Sequence, residues 1–144
     1  MAKMTLGELS KKMALIDFAM LSTRTKEGAV SSRPMSSNGE VEFTGDSFFF
    51  TDESSRMVAE MTADENVGLT FTGAAGILGG PPMFIAMEGE GELIRDKAQF
   101  AQRWTKGLDH WFKQGVDTPG LVLIKVQAQR IHYWNGADEG EIAL

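Results

Sequence analysis

The apolar residues near the start of the chain recur with a helical period. They lie three or four positions apart: Leu6, Leu9, Met13 and Ile16. Thr5 and Glu8 have the spacing of a capping box, in which each side chain binds the other residue's backbone N–H. The pattern therefore predicts an amphipathic helix from Thr5 to about Phe18.

After this helix the apolar residues occur in short runs bounded by turn residues, which is typical of β-strands. Strands are predicted over residues 18–25, 29–37, 40–45, 47–52, 66–73, 83–94 and 120–136, the last as one long strand or two. Gly28 marks the turn of a first hairpin, and Gly45 with Asp46 the turn of a second. Gly89 and Gly91 permit a bulge in the sixth of these strands.

Two further helices are predicted, over residues 54–63 and from residue 96 to at least residue 106. A Gly- and Pro-rich segment over residues 74–82 is predicted to form a surface loop. Six or seven mostly antiparallel strands with short helices favour a small closed or partly closed β-barrel, because closure removes exposed strand edges. The predicted fold class is mainly β with short helices, and residues 1–144 are predicted to form a single domain.

Composition narrows the class of function. The chain has no cysteine, which excludes a disulfide framework, a thiolate metal site and a cysteine nucleophile. Its formal net charge of −6 argues against a nucleic-acid partner, which requires a basic surface. Neither a secretory signal nor a membrane-spanning run is apparent, so we expect a cytoplasmic protein without a membrane partner.

The segment "FFFTDESSRM" joins a predicted strand to the start of a predicted helix, where free backbone N–H groups favour an anion. Arg56 lies in the first helical turn and would add a cation to a phosphate site. The hydroxyl groups nearby belong to Thr51, Ser54 and Ser55. The alternative is that Asp52 or Ser54 only caps the helix, while Arg56 pairs with Glu60 four residues later.

The segment "SSRPMSS" interrupts a predicted strand with a proline. Strand alternation places Ser31, Arg33 and Met35 on one side and Pro34 on the other. If this strand lies next to the "FFFTD" strand, Arg33 and Arg56 could both bind one phosphate dianion. The alternative is a solvated arginine on an edge strand, with Pro34 preventing aggregation.

Aromatic residues and histidines near the end of the chain allow two interpretations. Trp134 follows Tyr133 and either packs in a core or subunit interface or covers a planar ligand. His110 and His132 have no carboxylate or cysteine at ligand spacing, so we expect no metal site. The G-x-S-x-G, G-x-G-x-x-G and P-loop motifs are all absent.

Three segments in order, "STRTKEGAVSSRPMS", "FFFTDESSRMVAEMTADENVGLTFT" and "VLIKVQAQRIHYWNG", resemble the flavin-binding split-barrel family whose prototype is pyridoxamine 5′-phosphate oxidase. Within this group the chain looks like the short bacterial general stress proteins. The resemblance implies a six-stranded antiparallel split barrel that forms a homodimer and binds FMN at the subunit interface. The cofactor-binding positions that it implies are Arg33, Pro34, Met35, Ser36, Phe50, Thr51, Ser55, Arg56 and Trp134, the last contributed across the dimer.

Two departures from the family pattern affect the predicted function. Met57 stands where the family usually has a phosphate-binding lysine. The tail after Trp134 is acidic, with Asp138, Glu139 and Glu141, where true pyridoxamine-phosphate oxidases carry basic residues for their phosphorylated substrate. These carboxylates would repel that substrate, so oxidation of pyridoxamine phosphate is not expected.

The leading hypothesis is an FMN-binding protein that acts as a flavin-dependent oxidoreductase on an unidentified small molecule, or that only carries flavin. No residue is assigned a catalytic role, because the flavin would supply the redox chemistry. One alternative is the same barrel with a deazaflavin or haem. The other is a dimeric interaction module without a cofactor.

Overall fold

The computed structural model describes residues 4–36, 43–73 and 82–144. Three α-helices and seven β-strands occur in these ranges. In chain order they are α1 Leu6–Met13, β1 Phe18–Arg24, β2 Val30–Ser36, β3 Asp46–Asp52, α2 Arg56–Ala63, β4 Asn66–Thr72, β5 Met83–Ile94, α3 Lys97–Arg103, β6 Leu121–Asn135 and β7 Asp138–Ala143. Two short 3₁₀ segments, Lys106–His110 and Gly115–Asp117, connect α3 to β6.

All seven strands belong to one antiparallel sheet. Six of them follow the order β2-β1-β4-β5-β6-β3, and β7 pairs with β6 outside this order. One edge of β6 pairs with β5. The other edge pairs with β3 along the first half of β6 and with β7 along its last six residues. Strands β2 and β3 end the order and are not paired with each other in the described part of the chain. The sheet is therefore open. The predicted mainly β fold with short helices is confirmed, and the described strands number seven rather than the six that the family resemblance implies.

The first helix is shorter than its apolar pattern predicts. Thr5 caps it, since its hydroxyl oxygen accepts a hydrogen bond from the N–H of Glu8 at 3.1 Å. The helix ends at Met13 rather than near Phe18, because Phe18 already pairs with Ser36 on β2. Ile16 keeps its place in the core although it lies outside the helix.

The predicted second hairpin is also not observed as such. Residues 40–42 lie outside the described residues, and residues 43–45 are not in a strand. Strand β3 pairs instead with β6, which lies far along the chain, in a register that sets Phe50 opposite Leu123. The predicted loop over 74–82 falls outside the described residues except for Pro82.

The predicted bulge in β5 is confirmed, since the register of β5 against β6 shifts between Glu88 and Gly89. A side chain at Gly89 would clash with the carbonyl oxygen of Gln127 on β6, which explains why glycine occupies this position. Helix α3 has the predicted cap at Asp96 but ends at Arg103, because Trp104 turns into an extended conformation and packs on Phe50.

Two apolar cores hold these elements together. The larger one lies between the inner face of the sheet and helices α1 and α2, and includes Leu9, Leu21, Met57 and Ile131. The smaller one lies under α3 and includes Phe50 and Phe100 among its members. Helix α2 packs across β1 and β5, and its Glu60 lies beside the inner side of the β1–β2 hairpin.

Candidate cofactor site

The turn before α2 is ordered by its own side chains. The carboxylate of Asp52 accepts a hydrogen bond from the N–H of Ser54 at 2.8 Å, and the bonds from Ser54 lower the pKa of Asp52. Ser55 is the N-cap, because its hydroxyl oxygen accepts from the N–H of Val58 at 3.3 Å. Arg56 is the first residue of the helix, and 80% of its side chain is exposed.

Arg33 lies on the inner side of β2 and is held by groups of this chain. Its Nη1 donates to the carbonyl oxygen of Leu21 at 3.2 Å and to Oγ1 of Thr23 at 2.8 Å. Its Nη2 donates to Oγ of Ser31 at 2.9 Å and to Oε1 of Glu60 at 3.1 Å. Only 21% of the Arg33 side chain is exposed, so it is not the solvated edge arginine that one interpretation predicts.

Glu60 joins the two arginines. Its side chain is 9% exposed, and Oε1 accepts hydrogen bonds from Thr23 at 3.0 Å and from Arg33. Its other oxygen, Oε2, lies 3.8 Å from Nη2 of Arg56 and is buried without a hydrogen-bond partner. We call Thr23, Arg33, Arg56 and Glu60 the Glu60 cluster. The Arg56–Glu60 pair predicted as an alternative is thus present, and Arg33 reaches the same carboxylate.

The route by which Arg33 and Arg56 meet differs from the predicted one. Strands β2 and β3 are not neighbours, so the two arginines do not meet through strand pairing. They meet because α2 packs against β1 and turns Glu60 toward the β1–β2 hairpin. Sequence reasoning noted Glu60 only as a partner of Arg56. The contact with Arg33, 27 residues away, has no signal in the sequence.

The other predicted positions on β2 and β3 are divided between core and surface. Pro34 and Ser36 are exposed, whereas Met35 is buried in the larger core. Phe50 packs edge-on against Trp104 with ring centres 4.9 Å apart, so it faces the smaller core. Thr51 is half-buried and pairs with a valine of β6.

Trp134 lies far from the Glu60 cluster within one chain. It is on β6, which is separated from β2 by three strands in the sheet order. It lies on the outer face, is 36% exposed, and stacks on His132 with ring centres 4.0 Å apart. A single chain therefore does not bring Trp134 together with Arg33 and Arg56.

Strand β7, which the sequence analysis missed, places acidic residues beside Trp134. Glu139 lies opposite Trp134 in the register, and its Oε1 is 2.6 Å from Nε2 of His132. Glu141 lies 3.6 Å from the other ring nitrogen of His132. The signal for this hairpin was the Asn-Gly pair at residues 135 and 136, since Gly136 adopts a φ of 67° in the turn.

Two further findings concern metal-binding groups and membrane-spanning helices. Within residues 4–36, 43–73 and 82–144, no group of three or more His, Asp or Glu side chains is arranged to hold a metal ion. His110 lies on an exposed 3₁₀ segment and His132 on β6. None of the described helices is long and apolar enough to cross a membrane.

An open antiparallel sheet with a helix packed on its inner face defines a split-barrel type of fold. Comparison with protein families places the chain more narrowly. The family model described as "Pyridoxamine 5′-phosphate oxidase like" matches residues 5–144, so the chain belongs to this family. The resemblance inferred from the three sequence segments is thereby confirmed. No curated protein matches the sequence.

Several solved structures have the same fold. A protein related to general stress protein 26, from Clostridium acetobutylicum, has a TM-score of 0.77 and 18% identity over 96% of this chain and 94% of that one. General stress protein 26 from Bacillus anthracis has a TM-score of 0.72 and 20% identity over 94% and 97%. A heme binding protein from Mycobacterium smegmatis has a TM-score of 0.77 and 12% identity, and the match covers 99% of this chain and 60% of that one. At these identities the comparisons show the fold.

Proposed function

We propose that this protein is a homodimer that binds FMN at its subunit interface and serves as a flavin-dependent oxidoreductase or flavin carrier. The observation that carries the proposal is that Arg33 and Arg56 both reach the carboxylate of Glu60 on α2. The residues there fit the non-aromatic part of FMN. The exposed Arg56 offers a cation to the phosphate, and the orphaned Oε2 of Glu60 offers an acceptor to a ribityl hydroxyl.

The outer face of the sheet supports a dimer. Four large apolar side chains of β1, β5 and β6 lie exposed on this face: Phe18, Met20, Phe84 and Trp134. Exposed Pro34 lies opposite Met20 and extends the group on β1 onto β2. The exposed threonines of β4, Thr70 and Thr72, separate this group from Phe84 and Trp134. Exposed apolar groups with polar neighbours are typical of an interaction surface, and a second copy would cover them.

The same surface suggests how the isoalloxazine ring is held. In the proposed dimer, the ring rests on the Pro34–Met35 edge of one chain, and Trp134 of the second copy covers it. FMN, when bound, supplies the redox chemistry, and the residues of this chain bind it, orient it and exclude water. Glu139 and Glu141 lie beside Trp134 and disfavour an anionic substrate, which argues against oxidation of pyridoxamine phosphate.

The first experiment is spectroscopic. The purified protein is titrated with FMN, and quenching of flavin fluorescence is followed together with the absorption spectrum. Saturable quenching at one FMN per chain supports the proposal. Protein that binds haem with a Soret band and does not bind FMN supports the haem alternative, and protein that binds neither is the interaction module.

A mixed dimer tests whether the site is shared between subunits. Chains carrying Arg56→Ala are combined with chains carrying Trp134→Ala, and the mixed dimer is isolated by two affinity tags. If Trp134 acts across the interface, one of the two sites carries both defects and the other is intact. Half of the sites then bind FMN with the parent affinity, whereas a site formed within one chain would leave both sites impaired.

A further inference from the structure

The charge balance of the Glu60 cluster limits what it can bind. Arg33 and Glu60 are paired at 3.1 Å and both are largely buried, so they neutralise each other inside the protein. The remaining positive charge is that of Arg56, which projects into solvent. A site for a phosphate dianion usually presents several free donors, whereas here one guanidinium faces solvent among the members of the cluster.

The orphaned oxygen adds a chemical requirement. Oε2 of Glu60 is a buried carboxylate oxygen without a hydrogen-bond donor, which is costly unless a ligand or a water molecule supplies one. A phosphate dianion carries no proton to donate and would be repelled by the carboxylate. A neutral hydroxyl group can donate to Oε2 without any charge conflict.

We propose that Glu60 makes this site specific for the hydroxyl-bearing chain of a flavin rather than for its phosphate, so that FMN and riboflavin bind with similar affinity. This inference rests on the proposed flavin-binding function. The Oε2 atom of Glu60 accepts a hydrogen bond from a ribityl hydroxyl, and the phosphate of FMN contacts the exposed Arg56. An ion pair as exposed as that contributes little, since water and salt screen it.

Three flavins separate the contributions of phosphate and hydroxyl groups. The parent protein is titrated with FMN, riboflavin and lumiflavin, which lacks the ribityl chain. The expected Kd values of FMN and riboflavin agree within about tenfold, and lumiflavin binds at least about tenfold more weakly than riboflavin. FMN binding more than a hundredfold tighter than riboflavin overturns the inference, as does lumiflavin binding as well as riboflavin, which would indicate that water satisfies Oε2.

The variant Glu60→Gln tests the charge directly. Without the carboxylate, the charge of Arg33 is no longer neutralised and adds to that of Arg56, so the preference for FMN over riboflavin should rise by at least about tenfold. Glu60→Asp keeps the charge and should keep the parent ratio. Glu8→Gln on α1 removes the same charge outside the cluster and should also leave the ratio unchanged. An unaltered ratio in Glu60→Gln contradicts the inference, and a loss of stability cancels because both ligands are compared on one variant.

A measurement without flavin completes the test. Inorganic phosphate should raise the melting temperature of Glu60→Gln and leave that of the parent and of Glu8→Gln unchanged. Equal stabilisation of all three proteins by phosphate overturns the inference.

The flavin titration also separates this inference from the proposed function. If the parent binds none of the three flavins, the proposed function fails as well. Tight binding of FMN alone leaves that function intact and refutes only the role of Glu60.

Discussion

Arg33 and Arg56 face the same carboxylate but differ in almost every other respect. Arg33 makes four hydrogen bonds within the chain and is mostly buried, whereas Arg56 makes one long ion pair and is mostly exposed. The difference arises from the elements that carry them. Arg33 projects from β2 toward the inner side of the sheet, and Arg56 projects outward from the first turn of α2. We therefore expect the two arginines of one predicted phosphate site to have separate tasks, Arg33 in stability and Arg56 in binding.

This difference also changes the meaning of the Met57 departure. Met57 is buried in the larger core, where its side chain supports the packing of α2 against the sheet. A lysine at this position would lose the core contacts or bury a charge. Arg33 is neutralised by Glu60, and Met57 is buried and carries no charge. Of these three residues, Arg56 is therefore the cation that faces solvent.

The largest effect is expected for Arg33→Ala. It leaves Glu60 buried without its closest cation, so the free energy of unfolding should fall by about 3 kcal/mol, the lower end of the cost of breaking a buried ion pair. Urea denaturation measures this loss. The double variant Arg33→Met/Glu60→Met, which removes both charges, should recover much of it. A loss no larger than that of Arg95→Ala, which breaks the exposed pair with Glu53, would contradict the structural role of Arg33.

The next effect is expected for Arg56→Ala, and it should appear in binding. The affinity for FMN should fall by up to about tenfold, or about 1.4 kcal/mol, while riboflavin binds as in the parent. The free energy of unfolding should change by less than about 0.5 kcal/mol, because the side chain is exposed. Isothermal titration calorimetry and urea denaturation on the same preparation separate the two quantities. A variant that is destabilised as much as Arg33→Ala would remove the distinction between the two arginines.

A smaller effect is expected for Thr23→Val. The buried hydroxyl of Thr23 donates to Glu60 and accepts from Arg33, so its loss should lower the free energy of unfolding by about 1–2 kcal/mol. The matched control is Thr44→Val, which precedes β3 and lies outside the strands, where the side chain is exposed and a negligible change is expected. Equal changes in the two variants would show that the hydroxyl of Thr23 does not support the cluster.

The smallest effect concerns the acid sensitivity of the turn that presents Arg56. Hydrogen bonds from Ser54 lower the pKa of Asp52 in the folded protein. The resulting stabilisation is complete above the unfolded pKa of about 3.9 and is lost as the pH falls through the lower folded pKa. The stability difference between the parent and Asp52→Asn should therefore shrink between pH 6 and pH 3 in urea denaturation curves. A difference that does not vary with pH would contradict this role of Asp52.

Local signals in the sequence predicted most of the elements. Gly28 occupies the turn of the β1–β2 hairpin with a φ of 85°, Ser55 caps α2 one residue from a predicted cap, and the β5 bulge lies at Gly89. Each of these depends on neighbouring residues. The errors involve pairing over long distances, since the pairing of β3 with β6 was not predicted. Strand β7 was missed although the Asn-Gly turn that begins it was visible.

The sequence by itself determined the family, the mainly β fold and the side of β2 on which Arg33 lies, because these follow from composition, period and local order. Only the tertiary structure decided that Arg33 is paired with Glu60 and that Arg56 remains exposed. The physical reason is that burial and charge pairing depend on how α2 packs against β1, which brings together residues 27 and 37 positions apart. The preference of an arginine for phosphate, for a carboxylate or for water is determined by those contacts.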